Sequence, residues 1–356
     1  MPRMFVPGPV DVADEVLQAQ AQPMLPHRSK EFEAIYRNAS EKAQRLFYTQ
    51  CRVFLTASSG TGLQEAAIRN FVDKKVLCCV NGAFADRWYE VAVYNGKDTE
   101  ELSFGWDEPV DPDRVADAVK KGKHEAVTVV HNETSTGLQN PVKEIAEAIQ
   151  AVAPETLIFV DAVSSLAGAK LEMDMWGLDM VLTSSQKCLA LPPGLALGAV
   201  SDRAMHKAEK VENRGWYFDL VRMEKHRLKD SSPATPAMSL IFALDYQLDR
   251  IFKEGLDNRF ARHSAMATRV QEWAEAHDQS IYAPEGYRSQ TVTTIKNDRG
   301  IDISTLNNFL KERGMRIANG YGPLKNITFR IAHMGETQMS DIDELLKAME
   351  KFLKKS

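Results

Sequence analysis

The chain has 356 residues with 44% hydrophobic content, and its formal net charge at pH 7 is -5. This length exceeds the usual size of one domain and allows a large buried core, so we expect two domains. The charge gives no basic excess for nucleic acid, and no apolar run is long enough for a membrane span or a signal peptide. These observations predict a cytoplasmic protein without nucleic-acid or membrane partners.

The first motif that could bind a ligand is a turn of small residues that leads into a helix-favouring segment. Ser59, Gly60 and Thr61 form this turn. Backbone amides at the start of a helix, together with hydroxyl groups, can cradle a phosphate. The segment lacks the third glycine of a dinucleotide fingerprint and the lysine of a P-loop, which excludes both nucleotide motifs. A glycine-rich helix start without a ligand stays open as an alternative.

The middle of the chain alternates strand and helix patterns, with strands at 127–130 and 156–160 and a helix at 142–151. This alternation favours a parallel α/β sheet. Asp161 follows the second strand, at the carboxyl end where open α/β sheets bind ligands. An ionised carboxylate there can keep a pyridinium nitrogen protonated. A turn or helix-capping role for Asp161 is the simpler alternative when this residue is considered alone.

A single lysine, Lys187, lies just beyond another apolar run at residues 180–182. Pro192, Pro193 and Gly194 prevent a helix directly after it, so we expect the lysine at a strand end. A desolvated lysine can lose its proton, and its neutral amine can then condense with the carbonyl of pyridoxal phosphate. An isolated lysine is more often a surface residue. The combination with Asp161 favours the catalytic interpretation.

Near the end of the chain, residues 327–332 alternate in the period of a strand. Ile327, Phe329 and Ile331 share one face, and Arg330 lies on the other. The planar guanidinium of an arginine binds an α-carboxylate with two hydrogen bonds, as amino-acid recognition requires. A surface arginine on a half-exposed strand would give the same pattern.

After about Gly255 the pattern changes to helix, strand, turn, strand and helix. A helix containing Leu306 and Leu310 is predicted to end near Gly314. The last helix carries periodic apolar residues, and we predict an acidic capping box formed by Ser340 and Asp343. We therefore predict an N-terminal arm and large domain at 1–254 and a small domain at 255–356.

Seven segments occur in the order found in one enzyme family. They are residues 7–9 (Pro-Gly-Pro), 59–60 (Ser-Gly), 81–84 (Asn-Gly-Ala-Phe), 131–137, 160–166, 185–187 (Ser-Gln-Lys) and 329–331 (Phe-Arg-Ile). Over essentially the whole chain they resemble class V pyridoxal-phosphate aminotransferases of the alanine-glyoxylate and serine-pyruvate type. The resemblance implies the α/β fold of PLP-dependent transferases of fold type I. In that fold a large domain holds a mostly parallel seven-stranded sheet between helices, and a smaller α+β domain follows at the C-terminus.

The same resemblance implies roles for individual residues. Lys187 forms the Schiff base with the cofactor, Asp161 pairs with the pyridine nitrogen, and Thr134 bonds the phenolic oxygen. Phe84 stacks on the ring, where relatives often have tryptophan. The implied phosphate contacts are Ser59, Gly60, Thr61, Gln186 and, across a homodimer that shares its active site, Thr235. The implied substrate-binding residues are Arg330 for the α-carboxylate, Gly8 and Arg28.

The implied reaction is transamination of a small L-amino acid, alanine or serine, with a 2-oxo acid such as glyoxylate or pyruvate. The freed amine of Lys187 moves a proton from the substrate Cα, and the kinetics are expected to be ping-pong. Aspartate as donor is the first alternative. A desulfurase-like lyase would need a cysteine on a loop over the substrate, yet no cysteine follows Cys188. A cofactor-binding subunit that has lost catalysis is the third alternative.

The four cysteines, Cys51, Cys78, Cys79 and Cys188, have no zinc-binding spacing. We expect no metal site and a reducing compartment. Cys78 and Cys79 lie in an apolar run and are predicted to be small core residues. Cys188 is also predicted to be buried, because nothing nearby in the sequence would lower its pKa.

Overall fold

The structure is a computed structural model that describes residues 3–354. Its strands are β1 (Arg3–Phe5), β2 (Arg52–Thr56), β3 (Lys75–Val80), β4 (Asp98–Ser103), β5 (Ala126–Val130), β6 (Asn132–Glu133), β7 (Leu138–Gln139), β8 (Leu157–Asp161), β9 (Met180–Ser184), β10 (Ala196–Val200), β11 (Val292–Lys296), β12 (Met315–Asn319) and β13 (Thr328–Ala332). Its helices are α1 (Asp14–Gln20), α2 (Lys30–Leu46), α3 (Gly60–Phe71), α4 (Ala83–Tyr94), α5 (Pro112–Gly122), α6 (Val142–Val152), α7 (Asp202–Ala208), α8 (Leu220–Arg227), α9 (Met238–Glu254), α10 (Leu256–Glu275), α11 (Ile303–Lys311) and α12 (Met339–Leu353).

The largest sheet has seven strands in the order β2-β10-β9-β8-β5-β3-β4. The five strands from β9 to β4 are parallel, whereas β10 runs antiparallel to both of its neighbours. In β8, Ile158 and Val160 belong to one hydrophobic cluster, while Leu157 and Phe159 belong to another. Side chains on both faces of this sheet are therefore buried, which explains the continuous apolar runs of its strands. The predicted α/β fold with a mostly parallel seven-stranded sheet is confirmed.

A four-stranded sheet has the order β1-β12-β13-β11. Trp273 of α10, Phe329 of β13 and Leu345 of α12 share its hydrophobic cluster. β1 pairs in parallel with β12, so the start of the chain joins a sheet built mostly from the C-terminal segment. The sequence analysis contained no strand at this position. The division of the chain into 1–254 and 255–356 stays a prediction.

The capping box of the last helix was predicted at the wrong residues. The N-cap of α12 is Gln338, whose backbone N–H donates to Asp341 Oδ2 at 2.9 Å. Ser340 already lies within the first turn, and Asp343 forms an ion pair with Arg269 at 3.0 Å. The helix begins two residues earlier than the Ser-x-x-Asp pattern suggested. The prediction missed this start because the N-cap residue is glutamine and not the usual serine or threonine.

None of the helices within residues 3–354 combines the length and apolar character needed to cross a lipid bilayer.

Candidate active site

Asp161 is the last residue of β8 and is only 5% exposed. Its Oδ1 accepts a hydrogen bond from the Val163 amide at 2.8 Å, and its Oδ2 accepts one from Gln64 Nε2 at 2.7 Å. Burial raises the pKa of Asp161 to about 6, while these two donors act in the opposite direction. The carboxylate is thus held at the carboxyl edge of the large sheet by one backbone group and one side chain.

Lys187 follows the neighbouring strand β9 by three residues. The loop is fixed because the Ser185 amide donates to Leu195 O at 2.9 Å and the Ala190 amide to Lys187 O at 2.8 Å. Desolvation, with a further contribution from the charge of Arg330, lowers the pKa of Lys187 to about 8. Near neutral pH a useful fraction of this amine is therefore uncharged and nucleophilic.

The segment after β1 lies directly against this lysine. Lys187 Nζ donates to the carbonyl oxygen of Pro7, and the Val10 amide donates to Gln186 O at 3.2 Å. Gly8 has φ +105°, and a Cβ at this position would lie 2.7 Å from Lys187 Nζ. Only glycine suits this close approach and this backbone conformation. Gly8 is therefore brought next to Lys187, as its predicted place in the site requires.

The predicted phosphate residues form the start of α3. Ser59 is the N-cap, and its side chain makes no capping hydrogen bond, so it does not cover the amides of the first turn. Gly60 packs closely on the loop after Asp161, because a Cβ there would lie 2.5 Å from Val163 Cγ2. An uncapped helix N-terminus packed against the loop that follows a buried carboxylate is suited to a phosphorylated ligand.

Phe84 lies in the first turn of α4, and the buried carboxylate of Glu133 fixes that turn. Glu133 Oε2 accepts hydrogen bonds from the Phe84 and Ala85 amides, both at 3.0 Å, and Oε1 accepts one from the Ser135 amide at 3.0 Å. Burial raises the pKa of Glu133 although these donors oppose the shift. The sequence analysis quoted Glu133 within a motif but assigned it no role.

The ring of Phe84 contacts an aromatic ring and a guanidinium group. Its centroid is 5.5 Å from that of Tyr321, and the Arg87 guanidinium lies 4.9 Å from the same centroid. Arg87 Nη1 also donates to Thr61 Oγ1 at 3.4 Å. Within residues 3–354, Arg87 has no ion-pair partner. The sequence analysis missed Arg87, although the spacing of three residues from Phe84 places both on one face of a helix.

Arg330 lies in the middle of β13 and is 8% exposed. Its Nε donates to Asn319 O and its Nη1 to Thr134 O, both at 3.1 Å. Burial lowers the pKa of Arg330 to about 10, and within the described part of the chain this guanidinium forms no ion pair. A buried cation without a carboxylate partner is costly, and an anionic ligand would offset that cost.

Thr134 is buried, and its hydroxyl donates to Ser164 Oγ at 2.8 Å. Its carbonyl oxygen accepts the bond from Arg330 described above. Ser164 Oγ in turn donates to Asn132 O at 2.9 Å. Thr134 thus connects the loop after β6 with the small sheet.

For three further predicted residues, no side-chain hydrogen bond or ion pair to Lys187, Asp161 or Arg330 is present within residues 3–354. Gln186 contacts the N-terminal segment through its backbone, and no side-chain hydrogen bond involves it within residues 3–354. Thr235 is exposed and lines a small cavity together with Ala57, close to the start of α3. Arg28 is exposed on the loop before α2, and no hydrogen bond or ion pair joins it to Lys187 or Arg330 in the described part of the chain. The roles of all three stay predictions.

The chain matches the family model "Aminotransferase class-V" over residues 11–340. It is 36% identical to an uncharacterized aminotransferase of Methanocaldococcus jannaschii, with 99% of this chain and 92% of the relative aligned. It is 35% identical to an L-aspartate–glyoxylate aminotransferase of Paracoccus denitrificans, with 93% and 86% aligned.

The fold is also similar to solved structures. The alanine–glyoxylate aminotransferase of Nostoc sp. superposes with a TM-score of 0.93 at 28% identity, covering 99% of this chain and 95% of that one. The match of fold and sequence extends from the large sheet to the strand that carries Arg330. The chain belongs to the class-V aminotransferase family.

Proposed function

We propose that this aminotransferase uses pyridoxal phosphate and transfers the amino group of a small L-amino acid to glyoxylate. The observation that carries the proposal is the convergence of three groups at one site: the amine of Lys187, the carboxylate of Asp161 and the unpaired guanidinium of Arg330. Asp161 ends one strand and Lys187 follows the neighbouring parallel strand, and the charge of Arg330 influences the amine of Lys187.

The residues present fit pyridoxal phosphate. The uncapped start of α3, with Ser59, Gly60 and Thr61, suits the phosphate, and buried Asp161 suits a protonated pyridine nitrogen. The amine of Lys187 suits the aldehyde. When bound, this cofactor supplies an electron sink for the bond that breaks at the substrate Cα.

The chain's own residues divide the remaining work. Arg330 binds the α-carboxylate with its free guanidinium hydrogens and so orients the substrate Cα. The Lys187 amine accepts the proton from the substrate Cα and would deliver it to the carbon that the cofactor brings in as its aldehyde, a role suited to its lowered pKa of about 8. Glu133 holds the start of α4, and thereby Phe84, in place on the face of the site.

Glyoxylate as acceptor is supported by the names of two similar proteins, the L-aspartate–glyoxylate and the alanine–glyoxylate enzymes. Their donors differ, so the donor must be argued from this chain. Alanine or serine needs no second cation in the site. These two amino acids are the donors that the family resemblance implies.

Aspartate is a second candidate donor because of Arg87. Arg87 is half-buried beside Phe84 and has no ion-pair partner within residues 3–354, so its guanidinium can donate hydrogen bonds to a distal carboxylate. Arg87→Leu is then expected to lower kcat/KM for aspartate while leaving that for alanine unchanged. An equal loss with both donors would remove this candidate.

We also propose a homodimer in the cytoplasm. Tyr217 (47% exposed) lines a cavity together with Thr235, and the preceding residue Trp216 is 55% exposed, so exposed aromatic side chains support a partner surface there. Free thiols at Cys51, Cys78, Cys79 and Cys188 support a reducing compartment. Light scattering of the purified protein should give twice the mass of the 39.9 kDa chain. A monomer would contradict the shared site.

The function is tested by mixing the cofactor-loaded protein with glyoxylate and, separately, L-alanine, L-serine, L-aspartate and L-cysteine. Glycine is expected, together with the 2-oxo acid of the true donor, and initial rates should show ping-pong kinetics. Absence of glycine with every donor would contradict the proposal. Formation of alanine and elemental sulfur from cysteine would indicate a desulfurase-like lyase instead.

A further inference from the structure

The buried side chain of Gln64 forms a hydrogen bond with the carboxylate of Asp161. Gln64 belongs to α3, the helix whose first turn forms the proposed phosphate site, and it is 2% exposed. Its Nε2 donates to Asp161 Oδ2 at 2.7 Å. The other carboxylate oxygen is served by a backbone amide, so Gln64 is the donor that a substitution can remove.

The packing of α3 explains this contact. The absence of a side chain at Gly60 lets the start of the helix approach Val163, two residues after Asp161. Gln64 follows Gly60 by one turn and therefore faces the same strand end. The helix also packs against β8 and β9, which supply Asp161 and lead to Lys187.

An apolar residue at the position of Gln64 would stabilise the fold more than glutamine does. Leu63, Ala66 and Ala67 around it are buried and apolar, and the Oε1 of Gln64 is buried without a hydrogen-bond partner in the described part of the chain. A buried amide oxygen without a partner destabilises a fold. The single hydrogen bond that its side chain makes within residues 3–354 goes to Asp161.

We propose that Gln64 is a positioning residue for the cofactor: its amide fixes the orientation of Asp161 and keeps that residue in the carboxylate form opposite the pyridine nitrogen. The inference rests on the proposed use of pyridoxal phosphate.

Other charged groups around Asp161 shift the balance between its carboxylate and acid forms in both directions. Glu133 disfavours the carboxylate, whereas Arg87 and Lys187 favour it. Burial is the largest influence and disfavours it, and the hydrogen bond from Gln64 opposes burial. Removing that donor therefore raises the pKa of Asp161 further above its ordinary value, so the acid form persists to higher pH.

The test uses Gln64→Met, which keeps the length of the side chain and removes the donor. Apoprotein is titrated with pyridoxal phosphate from pH 5 to pH 9, and the dissociation constant is measured at each pH. At neutral pH we expect about tenfold or greater weakening, since the lost hydrogen bond is made to a charged group. The pH below which affinity falls is expected to move upward.

Gln279→Met is the matched control. Gln279 is equally buried, and neither of its side-chain polar atoms has a hydrogen-bond partner in the described residues. Its substitution is expected to leave both the affinity and its pH profile unchanged. Thermal melting establishes that each variant is folded. If Gln64→Met does not fold, Gln64→Asn, which withdraws the donor by one carbon, is measured with the same expectation.

A double-mutant cycle with Asp161→Asn shows whether Gln64 acts through Asp161. In that background, Gln64→Met is expected to have no further effect on cofactor affinity. A Gln64→Met protein with wild-type affinity and pH profile would overturn the inference. So would an equal loss in the Asp161→Asn background. A wild-type protein that does not bind pyridoxal phosphate would instead overturn the proposed function, and this inference with it.

Discussion

The two sheets contribute charged residues to the site in different ways. Asp161 and Lys187 come from the ends of the adjacent parallel strands β8 and β9. Arg330 lies in the middle of β13 in the other sheet and is held by the carbonyl oxygens of Asn319 and Thr134. The edge of a parallel sheet brings chemistry together through local chain order. The small sheet contributes one side chain whose place depends on packing between distant segments.

Among the substitutions at the edge of the large sheet, Lys187→Ala is expected to have the largest effect on activity. The proposed proton transfer loses its acid and base, so the rate of the half-reaction with amino donor is expected to fall by about 10²–10⁴-fold or more. Rapid mixing with donor and detection of the 2-oxo acid measure this rate. Lys170→Ala, at a half-exposed lysine paired with Glu172, is the control and should behave like wild type. An active Lys187→Ala protein would contradict the assignment.

Arg330→Ala removes the guanidinium that the small sheet supplies to the site. Loss of a desolvated ion pair with the α-carboxylate is expected to weaken every amino donor by about 2–5 kcal/mol. Arg330→Lys keeps the charge but not the two-pronged geometry, and only partial recovery is expected. Both variants are compared by kcat/KM for several donors. Unchanged kcat/KM in Arg330→Ala would move the carboxylate site elsewhere.

The lowered pKa of Lys187 predicts how the rate of cofactor attachment depends on pH. Below a pKa of about 8 the amine is protonated, and above it the amine is neutral. The initial rate of covalent attachment of pyridoxal phosphate to apoprotein should therefore rise about fiftyfold from pH 6 to pH 8 and then level off. Lys187→Ala gives the background from other lysines. A rate that keeps rising toward pH 10.5 would show an ordinary, solvated lysine.

Glu133→Gln tests the support beneath Phe84 and carries the smallest expected effect. The substituted amide can no longer accept all the hydrogen bonds from the amides of Phe84, Ala85 and Ser135. We expect the free energy of unfolding at pH 7 to fall by about 1–3 kcal/mol in urea titrations. Glu312→Gln, at an exposed position, is the control and should leave stability unchanged. Equal stability of the two variants would contradict the capping role.

The sequence predicted the features that depend on local order. Asp161 and Lys187 stand at the ends of apolar strands, and both positions are as expected. The contact between Gln64 and Asp161 spans 97 residues, and no local pattern indicates it. The same holds for the pairing of β1 with β12, which only the folded chain brings together. The capping box was misplaced because the N-cap is a glutamine, Gln338, outside the usual capping residues.

The most direct measurement of the central claim is reductive trapping. Wild-type protein is mixed with pyridoxal phosphate, reduced with borohydride, digested and mapped by mass spectrometry. The proposal predicts one phosphopyridoxyl group per chain, attached to Lys187. Modification of a different lysine, or no modification at stoichiometric cofactor, would contradict it.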